Sequence, residues 1–119
     1  MQDDHPAVID RAALQSLEAV LGPERMTGFI AEYLVQAQRL DGELRRAWAN
    51  RDWDATYRPA HNLVSNAGNF GAQQVAAIAD AIQRAARDHD AAALDAALAP
   101  LDAALVEAAA ELKRLYPQD

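Results

Sequence analysis

The spacing of apolar residues predicts α-helices along most of the chain. Apolar side chains recur three and four positions apart, which places them on one side of a helix rather than on one face of a strand. We name the five predicted helices A to E in chain order. Their apolar stripes are Leu14, Leu17 and Leu21 in A; Met26, Phe29, Ile30, Tyr33, Ala37, Leu40, Leu44 and Trp48 in B; Trp53, Thr56, Ala60, Leu63 and Ala67 in C; Val75, Ile78, Ile82 and Ala86 in D; and Leu94, Leu98, Leu101, Leu105, Ala108, Leu112 and Leu115 in E.

Polar residues and helix breakers separate these stripes. Asp10 and Asp52 are suited to cap helices A and C, because a short carboxylate accepts hydrogen bonds from the free N–H groups of a first turn. The Gly22-Pro23 pair ends helix A and lets helix B begin. Before helix E, either Asp88 or Asp90 is a suitable cap.

Pro100 lies inside the stripe of helix E without shifting its register. We therefore predict one kinked helix rather than two, with a penalty of about 3 kcal/mol offset by packing. Four long helices, B to E, with short connections predict an all-α, antiparallel up-down four-helix bundle, preceded by the short helix A. We expect this bundle to span residues 10–116, after a flexible tail at residues 1–9.

Composition agrees with one helical domain and narrows its partners. Of the 119 residues, 51% are apolar and only 6% are aromatic, which suits closely packed helices. The formal net charge of −7 argues against binding to nucleic acid or to anionic membranes, since both attract basic proteins. The chain lacks cysteine, and its polar, acidic N-terminus resembles neither a signal peptide nor a membrane anchor. We expect a cytoplasmic protein.

The segment HNLVSNAGNFGA, residues 61–72, places a polar cluster within these apolar helices. At ~100° per residue, His61 falls on the flank of the buried stripe of helix C, beside Tyr57, Val64 and Gly68. A lone histidine on a helix is ordinarily a solvated or packed side chain. Here, however, the small residues that follow it leave room above the ring for a large partner.

This segment resembles the signature of histidine-containing phosphotransfer (HPt) domains, commonly written H-x-L-K-G-x-x-x-x-x-G-A. The resemblance extends to the ID...L..L..LG opening at residues 9–22, to the RDWD before the histidine helix and to the helix lengths, so it covers nearly the whole chain. The matching positions of the signature are His61, Leu63, Gly68, Phe70, Gly71 and Ala72.

Two positions differ from the HPt pattern. The family's lysine three residues after the histidine is Val64 here, and the following glycine is Ser65. In the family that lysine lies beside the phosphoryl group. Arg58, one helical turn before His61, is the candidate replacement cation, and Ser65 is a candidate hydrogen-bond donor.

The resemblance implies a phosphoryl carrier of a two-component phosphorelay. His61 would accept the group from a receiver-domain aspartate, or from a hybrid sensor histidine kinase, and pass it to another response-regulator receiver. It also implies that the chain is not an enzyme and binds no cofactor, because the receiver supplies Mg and a lysine. We expect a monomer, since the bundle itself uses the apolar stripes.

The residues expected to contact the partner are Tyr57, Asn62, Val64, Gly68 and Asn69. Each has a structural alternative: Tyr57 and Val64 also suit the edge of the core, and asparagines near a helix end also serve turns and caps. A second function therefore stays open, in which an HPt-like bundle binds receivers or kinases without being phosphorylated.

The triplet Asp88-His89-Asp90 consists of residue types that commonly bind metal ions. Adjacent residues in one turn rarely converge on a single ion, so capping is the better interpretation for both aspartates. We predict no metal site.

Overall fold

The computed structural model describes residues 7–118, which form six α-helices and no strand. The helices are α1 (Arg11–Leu21), α2 (Pro23–Ala49), α3 (Trp53–Asn69), α4 (Gln73–Arg87), α5 (Ala91–Leu98) and α6 (Leu101–Leu115). In the packed molecule α3 lies against α2 and α4, while α4 also contacts α5 and α6. α6 returns to α2 and α1 packs on α2. The predicted all-α bundle is confirmed.

Three aspartates begin helices by the same contact. The Oδ1 atoms of Asp10, Asp52 and Asp90 accept from the backbone N–H three residues later, at 3.3, 3.1 and 3.0 Å respectively. Each such cap stabilises a helix by about 1 kcal/mol. Of the two candidates before the last predicted helix, Asp90 is therefore the N-cap, whereas Asp88 ends α4.

The α2–α3 and α4–α5 connections use the same turn. Arg51 and His89 each lie in the left-handed region with a φ of 53°, where glycine is usual. The next residue, Asp52 or Asp90, donates its N–H to the carbonyl five positions earlier, at 3.1 and 2.9 Å, and then caps the following helix. One turn thus closes one helix and opens the next.

Aromatic rings hold both left-handed residues in place. The Arg51 guanidinium lies 4.1 Å from the centre of the Trp48 ring, and the His89 ring stacks on Trp53 at 4.8 Å. The two tryptophans contact each other at 5.0 Å, and Trp48 donates its Nε1–H to Asp95 of α5 at 2.7 Å. This cluster ties α2, α3 and α5 together at one end of the bundle.

The prediction of one kinked helix through Pro100 is wrong. α5 ends at Leu98 and α6 begins at Leu101, because proline has no N–H to donate and its ring crowds the carbonyl four residues earlier. Ala99 and Pro100 nevertheless keep right-handed helical angles. The direction of the chain is therefore kept, and Leu94 and Leu101 both lie fully buried.

The predicted apolar stripes form the core. The exception among the large side chains of α2 is Phe29, which is 37% exposed. The largest fully buried side chains are Tyr33, Met26, Ile30, Leu44, Leu63, Ile82, Leu94, Leu101, Leu112, Val75 and Thr56. All six helices except α1 contribute to that set, so α3 and the residues it carries rest on a continuous hydrophobic layer.

The segment before α1 is anchored to the turn after α3. Asp10 donates its N–H to the Gly71 carbonyl at 2.7 Å, and Gln73 donates to the other oxygen of its carboxylate at 2.9 Å. Ile9 is buried and Val8 packs against the core, although both fall in the predicted tail. Residues 1–6 of that predicted tail lie outside the described residues.

Candidate functional site

His61 lies in the middle of α3 with its side chain exposed. The residues on either side of its turn, Ala60 and Leu63, are fully buried against the core. Since buried neighbours hold the backbone, the imidazole is presented on a rigid support at the surface. A docking protein can reach it without any opening of the bundle.

Two side chains position the imidazole ring. Its Nδ1 lies 2.9 Å from Oε1 of Gln83 on α4, and its face stacks on Tyr57 at 5.7 Å with an angle of 11° between the planes. An amide oxygen only accepts, so Nδ1 carries the proton and donates it to Gln83. In the neutral ring, Nε2 then keeps its lone pair.

Gln83 was not among the residues predicted from the sequence. It lies 22 residues from His61 on a different helix, so no local motif joins the two. The available signal was its place next to Ile82, which puts Gln83 on the flank of the buried stripe of α4 just as His61 flanks the stripe of α3. Antiparallel neighbours bring two such flanks together.

The predicted phosphoryl-neighbouring residues are arranged unevenly around the ring. Ser65 is exposed one turn beyond His61, and Val64 is half-buried against the core. Arg58 is exposed and lines a groove with Glu43 and Arg46 of α2. Within residues 7–118, Arg58 makes no hydrogen bond or ion pair, so its guanidinium is uncommitted.

A second arginine, Arg84, is adjacent in sequence to Gln83, the residue that holds the imidazole ring. Arg84 follows Gln83 on α4, and its Nη2 atom lies 2.7 Å from Oδ2 of Asp80. Its side chain is 66% exposed. Arg84 is not predictable from the sequence, because surface arginines on amphipathic helices are common and carry no signal of their own.

The two glycines of the motif occupy different environments. A Cβ atom on Gly68 would meet nothing within 4 Å, so packing inside the chain does not require glycine there. Gly71 has a φ of +73°, and a Cβ atom on it would lie 2.7 Å from the Asp10 carbonyl oxygen. Gly71 thus serves the fold, whereas Gly68 leaves an open surface two turns beyond His61.

The other predicted partner-contact residues are available at the surface. Asn62 and Asn69 are exposed, and neither caps α3, whose C-cap is Phe70. Tyr57 is half-buried: it packs against the core, and its ring stacks on His61. By helical spacing, Tyr57, Val64 and Gly68 lie on one flank of His61 along α3, and Asn62 and Asn69 lie on the other.

The Asp88-His89-Asp90 triplet does not converge on a common point. Asp90 caps α5, and the His89 ring stacks on Trp53. Among residues 7–118, no group of three histidine, aspartate or glutamate side chains is placed to hold a metal ion. No helix in the described part of the chain combines the length and apolar character needed to span a membrane.

Comparison with known proteins agrees with this geometry. The family model of the Hpt domain matches residues 28–115, and the chain therefore belongs to the Hpt domain family. A crystal structure of histidine-containing phosphotransfer protein B from Pseudomonas aeruginosa PAO1 is similar, with a TM-score of 0.86. The match covers 92% of this chain and 94% of that chain at 18% identity, which establishes a shared fold. Comparison with curated proteins gave no match.

Proposed function

We propose that this protein carries a phosphoryl group on Nε2 of His61, between the phosphoaspartate of one receiver domain and the aspartate of another. The observation that carries the proposal is the exposed imidazole whose Nδ1–H is bound by Gln83 at 2.9 Å. That bond directs the lone pair of Nε2 toward the solvent side, where a partner docks. A hybrid sensor histidine kinase, through its receiver domain, is the expected donor.

The transfer requires no loss of a proton from the His61 ring. The Nε2 lone pair forms the N–P bond while the P–O bond to the receiver aspartate breaks. The electron pair of that bond remains on the aspartate as its carboxylate. The reverse reaction forms the aspartyl phosphate again, so the direction of flow depends on which receiver is phosphorylated.

The partner supplies most of the charge neutralisation. In-line phosphoryl transfer needs a metal ion and cationic groups around the transferring oxygens. We expect Mg²⁺ and a lysine on the receiver, while this chain supplies a nucleophile of fixed orientation. Two cations of this chain lie near the site. Arg58 is one turn before His61 on α3, and Arg84 directly follows Gln83 on α4. The protein acts as a carrier, and the receiver performs the catalysis.

The surface around His61 fits the approach of a folded domain. Tyr57 stacks on one side of the ring, and Gly68 leaves open space further along α3. Asn62 and Asn69 offer amides whose hydrogen-bonding groups are unused by helix caps. We expect these residues, with Val64, to lie in the contact with the receiver.

Incubation with a phosphorylated receiver and Mg²⁺ tests the proposal. Wild-type protein should gain acid-labile, base-stable phosphate, localised by mass spectrometry to His61. His61→Gln should gain none. His89→Gln is the matched control, because it removes another exposed histidine, one that lies beside Trp53. Label on His61→Gln, or on neither wild type nor control, contradicts a carrier.

One observation favours a second function. Val64 occupies the position where the HPt pattern has lysine, and it is half-buried. A bundle that has lost this cation would suit an interaction module that binds receivers or kinases without accepting phosphate. Stable binding to a receiver in calorimetry, with no transfer to wild type, would support this module over the carrier.

A further inference from the structure

A carboxylate lies behind the amide that positions His61. Asp80 is three residues before Gln83 on α4, and its Oδ1 accepts from Nε2 of Gln83 at 2.7 Å. The same amide presents Oε1 to Nδ1 of His61 at 2.9 Å. Carboxylate, amide and imidazole therefore form one line of hydrogen bonds from α4 to α3.

The chemistry of these groups fixes the order of donors along the line. An ionised carboxylate only accepts, so the NH₂ end of Gln83 must face Asp80. The carbonyl end of the amide must then face His61, and the ring must donate from Nδ1. Reversing the amide would place its oxygen against the Asp80 carboxylate and leave both acceptors unpaired.

Arg84 holds the other oxygen of Asp80. Its Nη2 atom lies 2.7 Å from Oδ2, so the two carboxylate oxygens have different partners, both about one turn beyond Asp80 on α4. The Asp80 side chain is 33% exposed, which leaves it partly shielded from competing water. The arginine restricts the rotation of the carboxylate and keeps Oδ1 directed at the amide.

We propose that Asp80 is a positioning residue, which sets the orientation of the Gln83 amide and through it the tautomer of His61. With the amide reversed, Gln83 would donate to Nδ1, and the proton of the neutral ring would sit on Nε2. That tautomer has no lone pair at the nitrogen that a partner reaches. The contribution to transfer rests on the proposed carrier function; the effect on the tautomer does not.

The size of the effect follows from the population of the reversed state. A charge-assisted hydrogen bond favours one amide orientation over the other, and the reacting fraction of molecules falls as the reversed orientation becomes populated. Asp80→Asn keeps the shape of the side chain but offers either a donor or an acceptor to Gln83. We expect this variant to populate both tautomers about equally and to accept phosphate about twofold more slowly, because only about half of the molecules then carry the reactive tautomer.

The experiment measures ¹⁵N chemical shifts of the His61 ring in alkaline solution for wild type, Asp80→Asn and two controls. Wild type should show a protonated Nδ1 and an unprotonated Nε2. In Asp80→Asn the ¹⁵N chemical shifts of the two nitrogens should move toward each other. Asp88→Asn removes a similar charge at the end of α4 and should change neither nitrogen. Arg84→Gln keeps the carboxylate and should cause a smaller shift than Asp80→Asn.

A second variant, Gln83→Glu, separates the effect of the amide's orientation from the effect of the charge on Asp80. In Gln83→Glu both oxygens accept, so residue 83 has no donor end to misdirect. Adding Asp80→Asn to Gln83→Glu should leave the tautomer as it is. An unchanged tautomer in Asp80→Asn alone, or an equal shift in both backgrounds, would overturn the inference.

The ring measurement needs no phosphate, so it separates this inference from the proposed function. A tautomer shift in Asp80→Asn together with absent transfer in wild type keeps the positioning role and rejects the carrier. Normal transfer and an unperturbed tautomer in Asp80→Asn keep the carrier and reject the positioning role. Urea unfolding of each variant verifies that the shifts come from folded protein.

Discussion

At the scale of single residues, the two glycines of the motif should respond in opposite ways to the same substitution. Gly71→Ala forces a left-handed alanine whose Cβ would lie 2.7 Å from the Asp10 carbonyl, so we expect the free energy of unfolding to fall by at least about 1–2 kcal/mol. Gly68→Ala adds a methyl group to open space in a helix, and should raise it by up to about 1 kcal/mol. Urea denaturation measures both; similar losses in the two variants would contradict this assignment.

Val64 offers a test of the missing cation. Val64→Lys should stabilise the phosphorylated form severalfold, because an ammonium beside a phosphoryl dianion gains a charge-assisted hydrogen bond. The measurement is the equilibrium distribution of phosphate between this protein and a receiver. Val64→Met is the matched control, since it lengthens the side chain without adding charge. If methionine shifts the equilibrium as far as lysine does, charge is not the cause.

The sequence alone singles out the candidate nucleophile more readily than the residues around it. His61, Gly68 and Gly71 stand in one local motif, so their spacing carries the signal. Gln83 reaches the ring from another helix, and only the packing of α3 on α4 brings the two together. Arg58 was selected for its position one turn from His61, yet it lines a groove with α2. Helical spacing gives direction around one helix, but not the direction in which a long side chain extends.

At the scale of the helices, Pro100 has a testable cost. Pro100→Ala should restore the missing N–H at a site where the backbone is already helical, so α5 and α6 should join. We expect more helix by circular dichroism and a gain of about 1 kcal/mol, because the lost rigidity of the unfolded chain offsets part of the benefit.

Pro100→Gly is the control for this change. Glycine also restores the N–H but increases the freedom of the unfolded chain, so it should give no gain in stability. Equal stability of the alanine and glycine variants would show that the break between α5 and α6 has another cause.

The helix starts at the aspartate caps were predictable, whereas the left-handed turns that end α2 and α4 were not. The aspartate caps act through neighbours three residues away, so a short window of sequence contains the whole interaction. The left-handed turns at Arg51 and His89 depend on rings from Trp48 and Trp53, which reach them only after folding. Likewise, the unbroken spacing of leucines across Pro100 predicts which face is buried. It does not predict whether the backbone hydrogen bonds of the helix continue through the proline.

At the scale of the whole molecule, two residues that follow α6 contact α1 and α2. The Tyr116 hydroxyl donates to Glu18 at 2.8 Å, and Gln118 donates to the Thr27 carbonyl at 3.1 Å. Burial, followed by the nearby Glu18 carboxylate, raises the pKa of Tyr116 to about 12. Burial alone raises the pKa of Tyr33 to about 12. Tyr33 on α2 and Tyr116 just after α6 therefore resist ionisation in the folded protein.

These raised values predict an alkaline loss of stability. Below pH 10 both the folded and the unfolded chain keep their tyrosine protons, so the stabilising effect is complete. Between pH 10 and about 12 the unfolded chain releases them while the folded chain does not, and the free energy of unfolding falls. For the buried Tyr33 the loss amounts to about 2–3 kcal/mol. Tyr116 lies nearer the surface and should contribute less.

Urea denaturation across this pH range, with Tyr33→Phe as the test variant, measures the loss. The Tyr33 hydroxyl is buried and has no hydrogen-bond partner among residues 7–118, so phenylalanine removes a titrating group without breaking a bond. The variant should therefore keep its stability further into alkali than wild type, while Tyr116→Phe, which also loses the contact with Glu18, should be less stable at neutral pH. Parallel pH profiles for wild type and Tyr33→Phe would mean that Tyr33 ionises equally well in both states, and its burial would then carry no linkage to folding.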